Sequence, residues 1–95
     1  MNAVLLTYDV HDTIDHVQLK KTLLANGWVD ELEDASGKMA HLPNTSFFKD
    51  NTNATTERDW FINLVNIKDI IRLIIYPVSP GWVGVYGVKH ATDRF

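Results

Sequence analysis

At 95 residues and 10.8 kDa the chain makes one domain, and its 45% apolar side chains can fill a single modest core. Charged residues at 22% exclude bulk disorder, and a formal charge of −3, from 9 Lys+Arg against 12 Asp+Glu, argues against a strongly basic nucleic-acid coat protein. The absence of cysteine excludes a disulfide scaffold, a thiolate metal site and a cysteine nucleophile.

Met1 leads directly into Val4-Leu5-Leu6 without the basic stretch and longer apolar region of a signal peptide. Ala3–Val10 is rich in β-branched and aliphatic residues and predicts a strand ending in the acidic Asp9–Asp15 stretch. Asp12 or Thr13 is the expected cap of a helix running to about Asn26, with Gly27 as its stop. Its apolar stripe is Val17, Leu19, Leu23 and Leu24. Trp28–Glu33 and Met39–Lys49 then read as two strands joined by the Ala35-Ser36-Gly37 turn, with Pro43 confined to an edge, a bulge or a strand start.

Asp50–Thr55 reads as a polar loop, and Thr56 with Asp59 as a capping-box-like start of a second helix bearing Trp60, Phe61, Leu64 and Val65. Ile70–Val78 is a strong strand with Ile71, Leu73 and Ile75 on one side and Ile70, Arg72, Ile74 and Tyr76 on the other. Arg72 interrupts its apolar run, so no segment is suited to span a membrane, and a reducing cytoplasm is the expected setting. Gly81–Val88 reads as a last short strand, and Lys89–Phe95 as a polar tail. The element order, βαββαβ, predicts an α+β ferredoxin-like sandwich over residues 1–88. It has an antiparallel sheet, two helices on one face and an extra short C-terminal strand, with residues 89–95 as a C-terminal tail.

Asp9, His11, Asp12, Asp15 and His16 crowd into eight residues after the first strand. Alternation puts Asp9 with Leu5 and Thr7, on the side away from Val4, Leu6, Tyr8 and Val10. A carboxylate at such a strand end can hold Mg²⁺ or Mn²⁺, and His11 can move a proton near neutral pH. The competing reading is structural: Asp12 and Asp15 suit a helix start, and Asp9 can pair with Arg72. The acidic run Asp30-Glu31-Leu32-Glu33-Asp34 lacks calcium-loop spacing and suits a solvated hairpin. Lys20 and Lys21 are the candidate phosphate contacts. Gly81-Trp82-Val83-Gly84-Val85-Tyr86-Gly87 has neither the lysine nor the following helix of a phosphate loop.

These residues resemble a family: the small ferredoxin-like CRISPR-associated Cas-two proteins and their relatives, including virulence-associated protein D. The resemblance rests on Val4-Leu5-Leu6-Thr7-Tyr8-Asp9-Val10, Leu23 to Gly27, Asn44-Thr45-Ser46-Phe47-Phe48 and Ile71-Arg72-Leu73-Ile74-Ile75-Tyr76-Pro77. It implies a homodimer formed through the sheets and the C-terminal strand, with Asp9 of each subunit facing its mate. In nuclease members of that family the equivalent aspartates share a divalent metal; other members act as scaffolds bound to DNA and a protein partner.

The first functional expectation is therefore a cytoplasmic, homodimeric, RNA- or DNA-engaging protein, a magnesium- or manganese-dependent endoribonuclease with catalytic Asp9 and His11 and metal-binding Asp9. The alternative is a non-catalytic dimeric module, of phage or plasmid origin, that binds another protein. Tyr8-Asp9 and the strand order favour the first, and the −3 charge and acidic hairpin favour the second. Both expect a dimer interface of Ile70, Ile74, Trp82, Val83, Val85 and Tyr86, an apolar face that a monomer rarely exposes.

Overall fold

A computed structural model of the chain describes residues 2–33 and 36–78. Strand β1 (Asn2–Val10) leads to helix α1 (His16–Ala25), then β2 (Glu31–Glu33), β3 (Met39–His41), β4 (Ser46–Thr52), helix α2 (Ala54–Val65) and β5 (Ile70–Val78). The sheet order is β4–β1–β5, antiparallel throughout, and an antiparallel bridge between Val29 and Phe48 attaches the chain ahead of β2 to the outer edge of β4. This is the ferredoxin-like sandwich expected from the element order. The extra strand Gly81–Val88 and the tail 89–95 lie outside the described residues.

Strand alternation decides which side is covered. Val4, Leu6, Tyr8 and Val10 are buried and form one cluster with Leu19 and Leu23 of α1 and Phe61 and Val65 of α2, so both helices pack on the same face. Phe47 and Trp28 complete the cluster. Leu5, Thr7 and Asp9 point to the other face.

The helix ends explain where the sequence expectations shift. The cap of α1 is Asp15, whose Oδ1 accepts from the Gln18 backbone N–H at 3.0 Å, not Asp12 or Thr13. Those two residues are spent on a turn in which the Ile14 N–H donates to the His11 carbonyl. At its other end Gly27 adopts φ +91° and the Trp28 N–H returns to the Leu23 carbonyl at 3.1 Å, a glycine stop that swings the Trp28 ring into the core beside Leu23. Only Leu19 and Leu23 of the anticipated stripe are buried; Val17 and Leu24 stay exposed.

The cap of α2 is Asn53, accepting from the Thr56 N–H, rather than Thr56 itself. The segment expected as one strand from Met39 to Lys49 is two strands, because the chain turns at Pro43, where the Ser46 N–H donates to the Pro43 carbonyl, and Thr45 takes φ +64°. β4 then continues through Thr52, past the expected polar loop boundary.

Tyr8 is 2% exposed, its ring stacked on Phe47 and tilted against Phe61. Its hydroxyl has no hydrogen-bond partner among the described residues, and burial pushes its pKa up to about 12. A buried hydroxyl without a partner costs stability, so Tyr8→Phe is expected to leave the protein as stable or slightly more so at pH 7. The folded-state pKa lies above the unfolded value, so the wild type loses stability as pH rises from about 10 to about 12, and Tyr8→Phe loses less. Denaturant melts of both proteins across that pH range check this; a phenylalanine variant that is clearly weaker at pH 7 would show that the hydroxyl has a partner.

Candidate functional site

The open face of the sheet is the most distinctive surface. Its register places Val29, Phe48, Leu5 and Tyr76 in one row across four neighbouring chain segments, through the pairings Val29–Phe48, Phe48–Leu5 and Leu5–Tyr76. The next row holds Ser46, Thr7 and Ile74, with the Thr7 and Ser46 hydroxyls 3.1 Å apart. Ile74 and Tyr76 are 57% and 45% exposed. Beyond them Asp9 and Arg72 are cross-strand neighbours, and the Arg72 guanidinium donates to Asp9 Oδ2 at 2.6 Å. Both side chains stand in solvent, so the pair adds little to stability. Its consequence is positional: a charge of each sign sits at one end of an apolar strip.

A register shift between Asp9 and Val10 changes one expected interface residue. Val10 pairs with Ile70 although Asp9 pairs with Arg72, so Ile71 is the extra residue of a bulge. The bulge reverses the alternation, and Ile70 packs against the core cluster beneath the helices instead of joining Ile74 on the open face. Ile71 is exposed in its place. Trp82, Val83, Val85 and Tyr86, the other expected interface residues, lie outside the described residues.

The expected site residues are divided between two layers. Asp9 faces away from the helices, whereas Lys20 belongs to the helical layer, with Nζ 3.1 Å from Asp30 Oδ2. Lys21 is exposed on the same helix. His11 follows β1 and is exposed; its backbone N–H donates to the Asp69 carbonyl at 3.0 Å. Among the described residues no group of three or more His, Asp or Glu side chains is placed to hold a metal ion. Asp9 presents its carboxylate at the strand end with Oδ2 2.6 Å from the Arg72 guanidinium.

Glu31–Glu33 of the acidic run pairs with Met39–His41, and two side-chain contacts accompany it: Lys20 Nζ to Asp30 Oδ2, and His41 Nε2 to Glu31 Oε2, each at 3.1 Å. A cleft lined by Lys20, His41, Asn44 and Thr45 among others has room for about one water.

A second polar cluster has no counterpart in the sequence expectations. Lys49 Nζ lies 3.2 Å from Glu57 Oε2, and the Thr52 hydroxyl donates to the same oxygen at 2.7 Å. Glu57 is buried at the first turn of α2, where the helix dipole favours its charge. The ammonium also sits over the Trp28 ring at 5.7 Å from its centroid and over the Trp60 ring at 6.0 Å. A Cβ at Gly27 would lie 3.4 Å from Lys49 Cε, an ordinary contact, so the glycine is needed there for its φ of +91° and not to make room for the lysine stem. These residues come from three separate elements, so only the tertiary fold unites them.

Comparison with protein-family models and with curated proteins finds no match to this chain. No helix among the described residues is long and apolar enough to cross a membrane.

Proposed function

We propose that this protein is a homodimeric interaction module that self-associates through the open face of its sheet. The observation that carries this reading is the row Val29, Phe48, Leu5 and Tyr76, extended by Ile74 and ending in the Asp9–Arg72 pair. Two such faces packed about a two-fold axis would remove the apolar strip from water, and sheets commonly pack face to face in this way. An acid and a base side by side also form a self-complementary rim, since each can meet its opposite on the mate. The basic side chains argue against a primary role on nucleic acid: Lys20, Lys49, Arg58 and Arg72 each face a carboxylate of their own chain. Phosphate contact would have to compete with those pairs.

A second reading, a Cas-two-like, metal-dependent endoribonuclease, is favoured by one observation: Asp9 lies on that same open face, so a two-fold pairing could bring the Asp9 side chains of two protomers together. In that reading the Asp9 pair would hold Mg²⁺ or Mn²⁺, which would activate a water, His11 would supply a proton, and Lys20 and Lys21 would contact the nucleic acid. A cytoplasmic location suits both readings.

The experiment that separates them incubates purified wild type and Asp9→Asn with mixed RNA and DNA in Mg²⁺ or Mn²⁺, and also runs both in a gel-shift assay at low salt. The module reading expects no cleavage and no shift from either protein. Metal-dependent cleavage by the wild type, abolished in Asp9→Asn while the dimer survives, would establish the nuclease reading instead.

A further inference from the structure

The open face is built in a register that is complementary to itself. Leu5, Thr7 and Asp9 of β1 pair directly with Tyr76, Ile74 and Arg72 of β5, and the bulge comes only after these rows. The β5 side chains stand proud: Tyr76, Ile74 and Arg72 are exposed, whereas Leu5 and Thr7 are half-buried. A ridge therefore runs beside a lower step, with a base at the end of the ridge and an acid at the end of the step. A two-fold axis along the seam between β1 and β5 carries β5 of one copy over β1 of the other. Tyr76, Ile74 and Arg72 then lie over the partner's Leu5, the partner's Thr7 and the partner's Asp9, each ridge meeting a step and each charge its opposite. An axis across the strands would instead set each Asp9–Arg72 pair against apolar rows, where both charges would lose water without a new partner. An axis along β1 itself would set Asp9 against the partner's Asp9.

We propose that two copies pack about this seam axis and that Arg72 of each binds the partner's Asp9, which makes Asp9 and Arg72 the residues that specify the arrangement. The inference rests on the pairing of two copies through the open face and adds its geometry. The guanidinium is equipped for two carboxylates: Nη1 donates to Asp9 Oδ2 of its own chain, and the fork carries further N–H groups for a second acceptor. In one copy the pair stands in solvent and contributes little. Between two faces the same charges form a ring of alternating sign, each with an opposite charge on both sides. Like charges set opposite one another are costly, so the ring disfavours a face shifted sideways by one strand. Each Asp9 meets a guanidinium rather than the other Asp9.

The test is sedimentation equilibrium of Asp9→Arg, of Arg72→Asp and of their equimolar mixture, beside wild type, with circular dichroism to confirm that each is folded. Both side chains are exposed in one copy, so neither change touches the core. Each variant alone places like charges all around the ring, and its self-association should weaken by roughly tenfold or more. The mixture sets a basic row against an acidic one and should dimerise about as tightly as wild type. Variants that dimerise alone as well as wild type would overturn the inference while leaving the pairing of open faces in place. A mixture no more associated than its two components would overturn it too. A monomeric wild type would overturn the pairing itself, and the inference with it.

Discussion

Phe61→Ala is expected to remove a large part of the stability of this domain. Phe61 is fully buried, its ring centroid 5.3 Å from that of Tyr8, and it joins α2 to the strand at the centre of the sheet. Truncating a buried phenylalanine costs about 3–5 kcal/mol, the lost transfer energy plus the cavity left behind. A chain of this size has only about 5–15 kcal/mol in total, and each kcal/mol shifts the melting temperature by roughly 4–8 °C. The midpoint should therefore fall by roughly 12 °C or more, or the variant should be largely unfolded at 25 °C. Thermal melts followed by circular dichroism at fixed protein concentration check this, since any self-association would make the midpoint concentration-dependent. A fall of only a few degrees would mean that α2 is not packed on β1 as described.

The second large effect concerns charge. Lys49→Met keeps the stem beside Gly27 and between the two indoles but leaves Glu57, 5% exposed, without its ammonium. Breaking a buried pair from one side costs about 3–5 kcal/mol. Lys49 retains some contact with solvent, so the expected loss is about 2–4 kcal/mol. The Thr52 hydroxyl still serves Glu57 but carries no charge. Lys49→Met combined with Glu57→Leu should recover much of the loss, because the cost lies in the stranded carboxylate rather than in the missing attraction. Urea titrations of the two single variants and the double variant measure this directly. Additive losses would show that Glu57 is solvated without Lys49.

The parts of this fold legible in the sequence are those governed by local pattern. β1 and β5 were readable from runs rich in β-branched and aliphatic residues, and the burial of Val4, Leu6, Tyr8 and Val10 followed from strict alternation. Gly27 marked the end of α1 because a left-handed residue is needed there. Errors arose where two local signals compete. Asp12, Thr13 and Asp15 are all good caps, and only the turn closed by Ile14 on His11 decides for Asp15. Pro43 was recognised as a strand hazard, but not as the point where one strand becomes two. The bulge at Ile71 leaves no trace in composition, and it moves Ile70 to the core side.

The site was legible in halves. That Asp9 lies at a strand end on the open face followed from alternation, and Arg72 is the partner the sequence offers it. The Lys49–Glu57–Trp28–Trp60 cluster was not legible: its members are unremarkable locally and meet only through the glycine stop of α1 and the Asn53 cap of α2. His41 meets Glu31 only through the hairpin register, which no local pattern encodes.

The central claim, that the open sheet face pairs two copies of this chain, is tested most directly by sedimentation equilibrium at tens of micromolar, wild type beside Ile74→Lys. Ile74 is 57% exposed in the isolated protomer, so the substitution places a charge in the proposed contact without touching the core. The account predicts a particle of twice 10.8 kDa for the wild type and a monomer, still folded, for Ile74→Lys. A wild type that sediments as a 10.8 kDa monomer, or a variant that remains as dimeric as the wild type, would contradict it.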